Sequence, residues 1–284
     1  MYHAAPAHSP MIGPGVVPQG FVPVAQSNPG NADPKGAVHP LAGGQPFAVD
    51  SHSMGGPHTH TQYPYVTGTS VLAIKYKDGI LMACDTLGSY GSTKRYKSVE
   101  RMSVVGNNTV LGASGEYSDF KYILNLLDDL TTHDYCLDDG QQLTPTEISA
   151  YLVRVLYNRR NKFDPLWNSL VVGGVSPNGE KYLGMIGMIG TCYSDSHVAT
   201  GFGAHLARPL FRERQYDDMP EDEARTLLED ALRVCYYRDK QSINKFQMSK
   251  VTKDGATISE PYALATAWHY QAFVNPTAAA IGSW

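Results

Sequence analysis

No stretch of this chain approaches the roughly 20 consecutive apolar residues that a membrane-spanning helix requires, so no span is expected. Basic residues are in no excess either. Twenty-three Lys and Arg against 27 Asp and Glu leave a net charge of -4, which offers nothing to hold a phosphate backbone or an anionic membrane surface. Nucleic acid and membrane are therefore not expected as partners. Cysteine is scarce: Cys84, Cys136, Cys192 and Cys235 form no C-x-x-C pair, which argues against a zinc ribbon or a redox motif and predicts buried, reduced thiols. A secretory signal would open with basic residues ahead of an apolar block, yet the first lysine is Lys35 and the first arginine is Arg95. Cytoplasm and nucleus remain as the expected compartments. Charge is sparsest in residues 1–60, which hold ten Pro and nine Gly but only Asp33, Lys35 and Asp50 as charged residues. Such a segment cannot bury enough apolar surface to offset its ordering entropy and is read as a disordered leader. Six of the ten histidines lie there, but nothing near His58 and His60 would organise a ligand shell, and no metal or other cofactor is expected.

What is present starts at about residue 61. Ser70 to Tyr76 and Ile80 to Asp85 read as strands joined by an Asp-Gly turn, and Arg101 to Val105 with Thr109 to Ala113 as a second hairpin. Phe120, Ile123, Leu124, Leu127 and Leu130 recur at spacings of three and four, predicting a helix from Tyr117 to Leu130. Thr144-Pro145-Thr146-Glu147 combines an N-cap, a first-turn proline and a capping-box glutamate, and Ile148, Leu152, Val155 and Leu156 supply the buried face behind it. Ser169 to Val175 is nearly continuous in apolar residues, which predicts a strand buried on both faces, paired with Lys181 to Ile186. A short helix from His205 to Arg212, a long one opening at Pro220 with Glu221, Asp222 and Glu223, and a hairpin of Phe246 to Val251 with Ala256 to Ile258 complete the pattern. Strands, helices, strands, helices, strands suggest an α+β fold in which two antiparallel sheets carry helices outside, a four-layer αββα sandwich. Periodicity alone leaves other α+β arrangements open. Residues 259–284 show no clear period.

Several motifs then fall into one register. Thr67-Gly68-Thr69-Ser70-Val71-Leu72-Ala73-Ile74-Lys75, Ala83-Cys84-Asp85, Ala113-Ser114-Gly115 and Tyr237-Arg238-Asp239-Lys240-Gln241-Ser242 together resemble β-type subunits of the eukaryotic 20S proteasome over roughly 190 residues. Asp85-Thr86-Leu87-Gly88-Ser89-Tyr90-Gly91-Ser92, Asn158-Arg159-Arg160-Asn161-Lys162, Asp164-Pro165-Leu166-Trp167-Asn168 and Ala199-Thr200-Gly201-Phe202-Gly203-Ala204 are similar to a non-catalytic branch, the seventh β type. The resemblance implies the αββα sandwich of the N-terminal nucleophile hydrolases. It divides the chain into a leader over 1–60, a subunit domain over 61–258 and a C-terminal extension over 259–284.

The resemblance also implies a site whose parts can be tested one by one. An N-terminal threonine serves as nucleophile because its own α-amine, with a pKa near 7.7–8.0, accepts the hydroxyl proton. A lysine promotes the deprotonated hydroxyl, a carboxylate orients that lysine, and a backbone N–H receives the oxyanion. Thr69 matches the nucleophile, Asp85 the carboxylate, Gly115 the oxyanion donor, and Asp239 with Ser242 the supporting pair. The lysine position, however, is Arg101, which supplies charge but relays no proton and does not suit a pocket built for an ammonium. Phe202 stands where catalytic members carry a serine between two glycines, and it offers no hydrogen bond.

These departures imply vestigial matches and a subunit without catalytic activity in a complex that is a threonine-type endopeptidase. The resemblance implies that the leader is cut near His60 or Thr61 and not between Gly68 and Thr69. The implied partners are other β subunits in the same and opposite rings, α-ring subunits and assembly chaperones. Trp268, Tyr270, Phe273 and Trp284 are candidate anchors in the extension, since aromatics are frequent in interface hot spots. Three rival readings stand beside this one. They are an active threonine peptidase, a stand-alone binding or metal-carrying protein using the histidine-rich leader, and an α-type ring subunit, which lacks support from any N-terminal helix pattern.

Overall fold

The structure, a computed structural model, describes residues 66–269. The candidate cleavage residues His60 and Thr61 and the candidate anchors Tyr270, Phe273 and Trp284 lie outside the described residues. Thirteen strands and five helices follow one another in this span. The strands are β1 (Thr67–Gly68), β2 (Val71–Tyr76), β3 (Gly79–Asp85), β4 (Gly88–Tyr90), β5 (Thr93–Tyr96), β6 (Met102–Val105), β7 (Thr109–Glu116), β8 (Asn168–Val175), β9 (Lys181–Ile186), β10 (Cys192–Ser194), β11 (His197–Ala199), β12 (Phe246–Thr252) and β13 (Gly255–Ile258). The helices are α1 (Tyr117–Leu137), α2 (Pro145–Asn161), α3 (Gly203–Leu206), α4 (Arg208–Arg214) and α5 (Glu221–Arg238).

All described strand pairs are antiparallel, and they build two sheets. One runs β10-β9-β8-β7-β1-β4-β5, with β6 also on β7, and the other runs β11-β2-β3-β12-β13. Side-chain alternation explains the layering. On β2, Val71 and Ala73 enter a core shared with Met82, Val110, Val171 and Val198, whereas Leu72 and Ile74 face the other way, toward Phe211, Leu227 and Leu228. A third core sets Leu111, Leu170 and Val172 against Phe120, Ile123, Leu152 and Leu156 of α1 and α2. Helix pair, sheet, sheet and helix group are thus four layers separated by three apolar cores, the αββα sandwich.

Local signals account for the elements that periodicity revealed. Thr144 caps α2, with both halves of the capping box formed, and Pro145 takes its first helical position. α1 continues past Leu130 to Leu137, seven residues beyond its apolar stripe, and stops where Asp138 turns left-handed at φ 49°. The single short helix expected over His205 to Arg212 is instead two, α3 and α4, divided at Ala207 ahead of Pro209. The expectation of four buried thiols needs correction. Cys84 and Cys235 are buried, but Cys136 in the overhanging last turn of α1 and Cys192 on the edge strand β10 are exposed. Burial pushes the Cys84 thiol up to about 11 and the Cys235 thiol up to about 12.

Candidate functional site: a threonine held between two sheets

β2 and β3 run side by side, and their ends bring Thr69 and Ser70 close to Asp85. Arg101 rises from the residue preceding β6 and lies beneath them, only 2% exposed. Its five N–H groups are all engaged. Nε donates to the Asp85 carbonyl at 3.1 Å, and Nη1 to the carbonyls of Thr69 at 2.9 Å and Ala113 at 3.0 Å. Nη2 donates to the Ser70 carbonyl at 3.0 Å and to the Asp85 carboxylate. A guanidinium has five donors and no more, so none is left for the Thr69 hydroxyl. The expectation that arginine would not suit this pocket therefore needs correction: it fits, because four backbone carbonyls and one carboxylate surround it.

Charge within this cluster is balanced by contact. Burial pushes the Asp85 carboxyl up from its ordinary value, while the Arg101 charge and the Ile243 N–H, 3.1 Å from the second oxygen, pull the other way. Burial likewise opposes the Arg101 charge, but the neighbouring Cys84, Asp85 and Asp239 outweigh it and the guanidinium stays protonated. The ion pair is almost fully enclosed, at 2% exposure on each side chain. Either member alone would be an uncompensated buried charge.

Thr69 itself meets Asp239, its hydroxyl donating to Oδ2 at 2.5 Å. The other Asp239 oxygen accepts the Gln241 N–H at 2.8 Å, and Ser242 donates back to the Asp239 carbonyl at 2.8 Å. Lys94 of β5 donates to the Ser242 carbonyl at 2.7 Å and so fixes this loop from the far side. Thr69, Asp85, Gly115, Asp239 and Ser242 accordingly come together as one cluster at one end of the two sheets. Phe202 does not join it. Its ring is 49% exposed and stands beside His205, with centroids 6.4 Å apart, while the Gly203 N–H donates to Ser70 Oγ at 2.7 Å.

Two features of this site carry no periodic signal in the sequence. Gly115 sits at φ 97°, and a Cβ there would lie 2.0 Å from the Trp167 carbonyl oxygen, so glycine is required. The residues ahead of Thr69 are themselves a strand: Thr67 pairs with Ser89 and Glu116, and Gly68 pairs with Gly115. Thr69 follows this two-residue strand directly. Backbone carbonyls and a two-residue strand leave no period to read.

Residues 65–251 match the family model described as proteasome subunit. The chain belongs to the proteasome β-subunit family. It is similar to a "Proteasome subunit beta type-4" of Arabidopsis thaliana, 58% identical over 224 residues that cover 79% of this chain and 91% of that protein. A protein of the same name in Dictyostelium discoideum is 50% identical over 206 residues, 72% of this chain and 79% of the relative. The Saccharomyces cerevisiae "Proteasome subunit beta type-7" is 44% identical over 207 residues, 70% and 78% of the two chains. The family accounts for the αββα layering. Among the described residues no helix is long and apolar enough to cross a membrane.

Trp268, the one described candidate anchor, packs edge-on against Tyr236 and Tyr237 at centroid distances of 5.6 and 4.9 Å and stays 55% exposed. The segment before it is tied to the domain through Asn244 with Leu264 and Arg233 with the Ala265 carbonyl. Residues 264–268 therefore lie along the C-terminal half of α5, with the Trp268 ring half exposed.

Proposed function

We propose that this chain is a non-catalytic subunit of the 20S proteasome β ring, required for assembly of the particle that degrades proteins, ubiquitinated ones among them. The observation that carries this reading is the full commitment of Arg101. Transfer of an acyl group to Thr69 needs a group that promotes loss of the hydroxyl proton, and the cation in the lysine position spends every N–H on carbonyls and Asp85. With the leader trimmed well ahead of Thr69, the α-amine that would act as base stays bound up in the Gly68–Thr69 peptide bond. Asp239 orients the hydroxyl but does not replace these parts, because the groups of a catalytic unit fail together.

In this role the subunit closes its ring and contacts β subunits beside and opposite it, α-ring subunits, and assembly chaperones, in the cytoplasm and nucleus. The leader over 1–60 is trimmed near His60 or Thr61, and the extension over 259–284 docks on neighbouring subunits, with the open face of Trp268 as one anchor. A covalent probe for N-terminal threonines tests the proposal on native particles. The expected result is modified catalytic subunits beside a chain of unchanged mass. Probe mass on this chain would instead establish an active threonine peptidase.

A further inference from the structure

β4 and β7 do not pair with each other in the described sheet; β1 stands between them. Two residues are too few to hold a strand in place by pairing alone. Additional bonds surround them. The Tyr117 N–H donates to the Val66 carbonyl at 2.8 Å, and Arg101 holds the carbonyls of Thr69 and Ser70 just beyond the strand. Arg101 also lies against the strand from below: a Cβ on Gly68 would be 2.2 Å from its Cδ and 2.8 Å from its Nε. Glycine at 68 and arginine at 101 therefore fit as a pair. The same guanidinium reaches Ala113 of β7 and Asp85 of β3, so it spans both sheets.

We infer that residues 66–68 form a permanent latch across the cleft between β4 and β7, and that Arg101 is its lock. The inference rests on the non-catalytic reading and adds a cause to it. The latch fills the edge beside Gly115 on which a peptide backbone would have to pair, and it joins two strands that are otherwise separate. A lysine at 101 would carry three donors against five acceptors, leaving at least two acceptors unmet in a buried site. Restoring lysine therefore loosens the latch without building a nucleophile.

Hydrogen exchange read by mass spectrometry on the assembled particle tests this. In the unaltered chain the amides of Gly68, paired with Gly115, and of Tyr117, which donates to the Val66 carbonyl, are expected to be protected as strongly as those of β7. With Arg101→Lys they are expected to exchange at least tenfold faster, while α2 amides keep their rates and the chain stays unmodified by the threonine probe. Exchange of Gly68 and Tyr117 at loop rates in the unaltered particle, or an unchanged rate in Arg101→Lys, overturns the latch. Probe labelling of the unaltered chain would instead overturn the non-catalytic reading, so the two failures are distinct. If Arg101→Lys does not assemble, Gly68→Ala, which forces Arg101 aside and keeps its charge, is measured in its place. The same tenfold loss of protection is expected, and an unchanged rate overturns the lock.

Discussion

Asp85 and Arg101 are enclosed together, and the interior tolerates each because the other is present. Asp85→Ala would leave the guanidinium charged and buried, and the expected cost is about 3–5 kcal/mol in chemical denaturation. The corresponding change at Asp230, which pairs with Arg214 and Arg233 near the surface, is expected to cost under about 1 kcal/mol. The thiols separate in the same way. Alkylation of native protein at pH 8 is expected to spare Cys84 and Cys235, held protonated by burial, while Cys136 and Cys192 are open to reagent in the folded chain. Peptide mass mapping reads the difference. At this scale the identities of Thr69, Asp85 and Arg101 were legible because side chains carry the chemistry. The fit of Arg101 was not, because it depends on the carbonyls of Thr69, Ser70, Asp85 and Ala113, which any residue would present.

Helix α2 shows what an element contributes when its signals are local. Thr144→Ala removes the cap and is expected to cost about 1 kcal/mol. The carboxylate of Glu147 accepts from the Thr144 N–H and hydroxyl, which holds its pKa below the ordinary value. Its contribution is therefore present above the ordinary carboxylate pKa and disappears as pH falls through the lowered one, so acidification should fray the first turn of α2 before its core-facing residues. Hydrogen exchange at Ile148 and Ser149 across an acid series would follow that fraying. Leu152→Ala, in the core beneath, is expected to cost about 2–5 kcal/mol in denaturation. Those two features were readable because cap and stripe lie within a few residues of each other. Strands β1, β4, β5, β10 and β11 were not: each has four residues or fewer, and their partners are set by the sheet.

At the scale of the molecule, three apolar cores hold two sheets and two helical layers together, and the cluster around Thr69 sits where one end of those sheets is tied by Arg101. The αββα order was legible in the alternation of strand pairs and helix pairs. The insertion of β1 between β4 and β7 was not, because it joins residues about 20 and 50 positions apart through two short pairings. That insertion makes Thr67 and Gly68 part of the sheet, and on the proposed reading Thr69 remains an internal residue. The direct measurement is intact mass with N-terminal sequencing of this chain from native particles isolated by size exclusion. A start ahead of Thr67, in a particle of several hundred kilodaltons, is the expected result. A chain whose first residue is Thr69 would contradict it.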